Sequence, residues 1–126
     1  MKYDPLVKPD SPEWLALDES ERIQIVEDYH SEKRISLPSA KLHAIIHSVV
    51  ENQLAEKDSP VTSQTLDRLM SEGLDRHDAI HAIGSVLATQ LFSITRDDQT
   101  DGFDQSRFDA ELTALNAKTW IEEAQE

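Results

Sequence analysis

Leu42, Ile45, Ile46, Val49, Val50 and Leu54 recur at helical spacing, and this apolar stripe constrains the fold more than any other feature of the chain. An amphipathic helix from about Ser39 to Lys57 places them on one side. Comparable stripes recur along the chain. Ile23, Val26, Tyr29 and His30 form the inward face of a helix over roughly residues 19 to 31, which Asp18 and Glu21 open as a capping box. Leu66, Leu69 and Met70 mark a helix that starts near Thr62 or Ser63 and stops at Gly73, where Gly73-Leu74 fits a left-handed end. Asp75, with Asp78 in the first turn, caps the next helix, which runs to about Phe92. Phe108, Leu112 and Leu115 then mark a last helix from about Gln105 to Gln125, flanked by Trp120 and Ile121.

Ser11-Pro12-Glu13 reads as an N-cap followed by proline, opening a short turn through Trp14 and Leu15. Ser31 to Pro38 reads as a connector, and Asp58-Ser59-Pro60 ends the central helix. Only three glycines are present, too few for a turn-rich β fold. The expected architecture is all-α, a compact helical bundle of about five to six helices packed antiparallel through short connections. Residues 1–126 read as a single helical domain, with 1–10 as an extended arm and a histidine-bearing core at about 39–92.

The chain has no cysteine, so disulfides and thiolate metal sites are excluded and any transition metal must be held by imidazole and carboxylate. Its 25 acidic and 12 basic residues leave a formal net charge of −13. That field repels phosphate backbones and anionic membrane surfaces, so neither nucleic acid nor membrane is an expected partner; the acidic surface reads first as a source of solubility, and in an interaction module it would select a basic protein. No stretch has the roughly 20 apolar residues of a membrane span, no signal-peptide core is seen, and the expected compartment is the cytoplasm.

The chemistry resides in the histidines. His43 and His47 form one H-x-x-x-H pair, and His77 and His81 form another. Residues four apart share a helix face with Cβ atoms about 6 Å apart, a spacing from which two imidazoles chelate one ion. Leu54 projects between His43 and His47, while Gly84 and Ala88 share the direction of His77 and His81 and permit close helix approach. Both pairs are therefore expected to point inward and to meet. His47 and Glu51 continue the ladder, and Glu27 and His30 have an E-x-x-H spacing. The first-turn position of His77 disfavours a charged imidazole and leaves it free for metal.

The expected ligands are thus His43, His47, His77 and His81, with His30 and Glu51 as supporting candidates, for a divalent transition metal such as zinc or iron. The competing reading is a metal-free structural or interaction module whose histidines form a buried hydrogen-bond network. Four histidines around one tetrahedral ion leave no open position, which argues for binding over catalysis.

Other chemistries lack their residues. A zincin needs H-E-x-x-H, but Ala44 and Asp78 stand in the glutamate position. There is no G-x-S-x-G elbow and no P-loop. Asp97 to Asp104 partly imitates a calcium loop, with Asp101 and Gly102 in register. Gln99, Asp104 and Phe108 occupy positions that need other residues, so a solvated loop is expected.

The strings Leu42-His43-Ala44-Ile45-Ile46-His47 with Glu51-Asn52-Gln53-Leu54, and Gly73 to His77-Asp78-Ala79-Ile80-His81, resemble a family of small bacterial helical proteins of unknown function. That family is similar in carrying L-H-x-x-x-H…E-x-Q-L, a proline loop, a helix and G-x-x-x-H-D/E-A-x-H. The resemblance spans about residues 40 to 92, with an echo in Glu13-Trp14-Leu15 and Tyr29-His30. It implies a helical, cytoplasmic, bacterial protein and no particular activity. His30, His47/Glu51 and His77/His81 also resemble, more distantly, the ligand pattern of haemerythrin, which implies a di-metal oxygen or redox site. The last helix lacks the histidine that such a site adds.

Overall fold

A computed structural model describes residues 1–32, 40–56, 60–96 and 104–124. Among them the chain is all-α, with no strand and seven helices: α1 Ser11–Ala16, α2 Glu19–Glu32, α3 Ala40–Ala55, α4 Pro60–Ser71, α5 Arg76–Arg96, α6 Gln105–Ala114 and α7 Ala117–Ala124. No helix among the described residues is long and apolar enough to cross a membrane.

Local chemistry explains where the helices differ from the sequence reading. Asp10, not Ser11, caps α1, its carboxylate accepting from Glu13 N at 3.2 Å. α4 begins at Pro60, because proline fits a first turn whose N–H groups lack helical partners. α5 continues past Phe92 to Arg96. The expected last helix is two helices. Leu115 is extended, and Asn116 starts α7 by accepting from Thr119 N at 2.8 Å. The break is held from outside by α4 and the turn after it, where Arg68 donates to Leu112 O at 3.0 Å and Glu72 accepts from Ala117 N at 2.9 Å. At the end of α4, Gly73 adopts φ +114°, Leu74 N bonds Leu69 O and Gly73 N bonds Met70 O, forming a Schellman cap as the Gly-Leu pair predicts. The calcium-like stretch lies outside the described residues except for Asp104, whose carboxylate caps α6 through Arg107 N.

The central helix is α3, which packs against α1, α2, α4 and α5. Val50, Leu66, Leu69, Ile80, Ile83, Leu87, Phe108 and Leu112 form the larger apolar cluster, with Ile46, Val49 and Leu54 against it. Leu42 is on the same side of α3 but in its first turn, beyond that cluster, and is 57% exposed. Met70 is also exposed, because the buried stripe of α4 is Thr62, Thr65, Leu66 and Leu69 and the next residue turns away from it. A second cluster joins Tyr3, Trp14, Val26 and Ala44. The first ten residues are therefore not a free arm: Tyr3 and Pro5 are buried, and Val7 N closes a turn on Asp4 O.

α3 and α5 run antiparallel. As α3 advances from Ile46 to His47 to Glu51, its partners on α5 recede from Gly84 to His77 to Arg76. Gly84 sets the approach, since a Cβ there would stand 3.1 Å from Ile46 Cγ2. Gly84→Val is expected to wedge the helices apart, with an overpacking penalty of about 1–3 kcal/mol measurable by urea unfolding. A variant as stable as the parent would show that the contact yields freely.

Candidate metal centre

All five histidines of the chain converge where α2, α3 and α5 meet. Each ring lies within 6.5 Å of at least three others, the closest pair being His77 and His81 at 4.2 Å between centroids. The antiparallel crossing opposes the two H-x-x-x-H pairs, with His47 stacked on His77 and His43 beside His81. His30 and His47 are buried, at 3% and 2% exposure, while His43, His77 and His81 are partly buried.

The tightest group of donors is His30, His47, His77 and His81, whose ligand atoms all lie within 4.8 Å of one another. Hydrogen bonds fix the lone-pair nitrogen of two of these rings, His30 and His47. His30 Nδ1 is 2.8 Å from the Val26 carbonyl, which only accepts, so Nδ1 carries the proton and the neutral ring has its lone pair on Nε2. His47 Nε2 is 2.9 Å from the Tyr3 hydroxyl, which donates its own proton to Glu51 Oε2. His47 Nε2 must then be the donor to Tyr3, leaving the lone pair on Nδ1. That Nδ1 is buried and has no hydrogen-bond partner, and the same is true of His77 Nε2 and His81 Nε2.

His43 stands at the edge of the group, its Nε2 3.2 Å from His30 Nε2. The structure thus brings together all four residues of the two pairs, and adds His30 to the inner set in the place expected for His43. Glu51 is buried but faces another partner. Arg76 donates to both carboxylate oxygens at 2.8 Å, Nη1 to Oε2 and Nη2 to Oε1, and also reaches Pro5 O. Glu27 pairs with Lys41, Nζ to Oε2 at 2.8 Å, as an ion pair rather than an aligned hydrogen bond.

Sequence reasoning missed Tyr3 and Arg76. Neither has a spacing relation to a histidine, and Tyr3 lies in a segment without helical periodicity. The available signal was one aromatic residue two positions before a proline near the N-terminus, which does not identify a partner. Tyr3 packs against Trp14, Tyr29 and His47, and burial with the Glu51 carboxylate beside it pushes its phenol far above the ordinary tyrosine range. Tyr3 is therefore a neutral donor. Arg76 is held charged: burial opposes its charge most, but the hydrogen bonds and negative charge of Glu51, with a smaller contribution from Tyr3, together outweigh it and raise its pKa.

Burial, helped by neighbouring rings, disfavours the charged form of His43, His47, His77 and His81. Burial, then the neighbouring histidines His30 and His77, lower the His43 pKa to about 4. Burial, then His77, His43 and His30, lower that of His81 to about 3. His47 is lowered well below its ordinary value by burial and the four other rings. His77 is lowered by burial and His30, while Asp75, Asp78 and Asp4 act in the opposite direction.

These shifts set a sign for stability. A histidine with a folded pKa below its unfolded value of about 6.5 favours the unfolded chain once that chain protonates. Stability of the metal-free protein is expected to be level above about pH 7 and to fall between about pH 6.5 and pH 4. Thermal unfolding by circular dichroism in chelator tests this; a midpoint that rises on acidification would contradict it.

Comparison of the chain with protein-family models, with curated proteins and with solved structures finds no match.

Proposed function

We propose that this chain binds one divalent transition-metal ion through His30 Nε2, His47 Nδ1, His77 Nε2 and His81 Nε2. The observation that carries the reading is the set of three buried imidazole nitrogens, on His47, His77 and His81, that lack any hydrogen-bond partner and converge with His30. A metal-free network leaves those atoms unpaired, at about 1–3 kcal/mol for each buried unsatisfied group. A metal ion accepts all four lone pairs at once.

Zinc fits this donor set best. It takes four nitrogen ligands tetrahedrally at about 2.0–2.1 Å, which requires the nitrogens to contract to edges of about 3.3 Å through side-chain rotation. A carboxylate-rich iron site is less well served, because the nearest buried carboxylate, Glu51, is neutralised by Arg76. The ligands are uncharged, and the carboxylates of Asp4, Asp75 and Asp78, whose fields reach His77, favour a cation. Four imidazoles close the coordination sphere, so the ion would be bound or stored rather than used as a Lewis acid on substrate.

Elemental analysis of untagged protein tests the reading. One equivalent of metal is expected, and none in the His47→Ala/His77→Ala double variant. Folded wild-type protein that neither carries metal nor takes up added zinc, iron or cobalt would refute it and leave the hydrogen-bond network as the function of the histidines.

A further inference from the structure

His43 and the metal require the same atom. Because His30 Nδ1 donates to Val26 O, the lone pair of the neutral His30 ring is on Nε2, and His43 Nε2 lies 3.2 Å away. Two lone pairs cannot face each other at that distance, so His43 Nε2 carries a proton and donates it to His30 Nε2. Metal coordination by His30 uses that lone pair, so the hydrogen bond and the metal–nitrogen bond exclude one another.

We propose that His43 is an internal competitor for the metal, which holds His30 in the metal-free protein and is displaced when the ion binds. The inference rests on the four-histidine reading above and deepens it from a permanently filled site to one built for reversible occupancy. Position supports it. His43 is only partly buried, next to the exposed Leu42, whereas His30 and His47 are enclosed. Its ring lies 4.6 Å from His30 and 4.8 Å from His81, so it closes one side of the donor group. Displacement of this ring toward the rim therefore needs no movement of the enclosed ligands. The three unpartnered nitrogens favour metal uptake, and the His43–His30 bond offsets part of that preference.

The sign of one substitution distinguishes a competitor from a ligand. Cobalt(II), titrated into wild-type protein and His43→Phe in competition with a chelator, is expected to bind the variant about three- to tenfold more tightly, as loss of one net hydrogen bond in the metal-free state implies. Unchanged or weaker binding overturns the inference, and a large loss would make His43 a ligand. If the variant does not fold, nitrogen-15 spectra of the imidazoles in metal-free wild-type protein decide. A proton on His43 Nε2 that is retained when zinc, the diamagnetic probe, is added, with His30 Nε2 changing from hydrogen-bond acceptor to metal ligand, supports the inference. An unprotonated His43 Nε2 overturns it. Wild-type protein that binds no cobalt refutes the metal reading itself, whereas tight binding unaffected by His43→Phe refutes only the competition.

Discussion

Arg76→Met is expected to destabilise the protein by about 3–5 kcal/mol, because it leaves the Glu51 carboxylate buried without its counter-charge. Glu51 is 1% exposed and Arg76 5%, and both carboxylate oxygens accept from the guanidinium. Water cannot replace that partner without opening the packing among α3, α5 and the N-terminal segment. The loss approaches the whole stability of a small domain, roughly 5–15 kcal/mol. The same guanidinium also binds Pro5 O at 2.8 Å, so the substitution additionally releases the N-terminal segment. Chemical denaturation should show a large fall in the midpoint, and limited proteolysis should show new cleavage within the first ten residues. Removing both charges, in Glu51→Met/Arg76→Met, should restore much of the loss, since an apolar pair of similar volume carries no desolvation penalty. A single variant that unfolds within about 1 kcal/mol of wild type would show that the pair is solvated in solution.

Tyr3→Phe separates the proposed metal site from the fold. The ring keeps its packing on Trp14, Tyr29 and His47, but the hydroxyl that joins His47 Nε2 to Glu51 is removed. His47 then loses the acceptor that selects its tautomer, and the form with the proton on Nδ1 can no longer ligate through that atom. Partners of this kind behind a ligand are typically worth 10- to 100-fold in metal affinity, and that is the expected loss for zinc. Stability of the metal-free protein should fall by only about 1–3 kcal/mol, the magnitude for leaving buried polar groups unsatisfied. Chelator competition for zinc, with unfolding of the metal-free protein measured alongside, separates the two effects. Unchanged affinity in the face of reduced stability would mean that Tyr3 supports the core and not the ligand.

Taken together, these residues form a chain from the helix pair to the N-terminal segment. Arg76 fixes Glu51, Glu51 orients the Tyr3 hydroxyl, and Tyr3 sets the tautomer of a histidine inside the donor group. The N-terminal segment, which has no helix of its own before α1, is thereby part of the site.

Gly84 and the H-x-x-x-H pairs illustrate how far sequence carries. An i,i+4 spacing fixes two side chains on one helix face wherever that helix goes, because the geometry is local. The all-α class, the Schellman end at Gly73 and the inward direction of the pairs are local in the same sense, and all were legible. The two-part C-terminal helix was not. Asn116 is a cap in a place where Arg68 on α4 and Glu72 in the turn after it hold the backbone groups on either side. Leu42 shows the same limit, since its spacing matches the stripe but its side chain lies beyond the apolar cluster and stays exposed.

The histidine site divides along the same line. Sequence alone determined that two helices each present a pair of imidazoles, that no thiolate competes, and that Gly84 leaves room for the helices to approach. Only the tertiary structure decided that His30 joins the inner four, that His43 stands against it at the rim, and that Glu51 belongs to Arg76 and Tyr3. The reason is physical: a spacing fixes direction from a helix axis, whereas a ligand set depends on which nitrogen carries a proton, and that depends on partners up to 44 positions away in the chain.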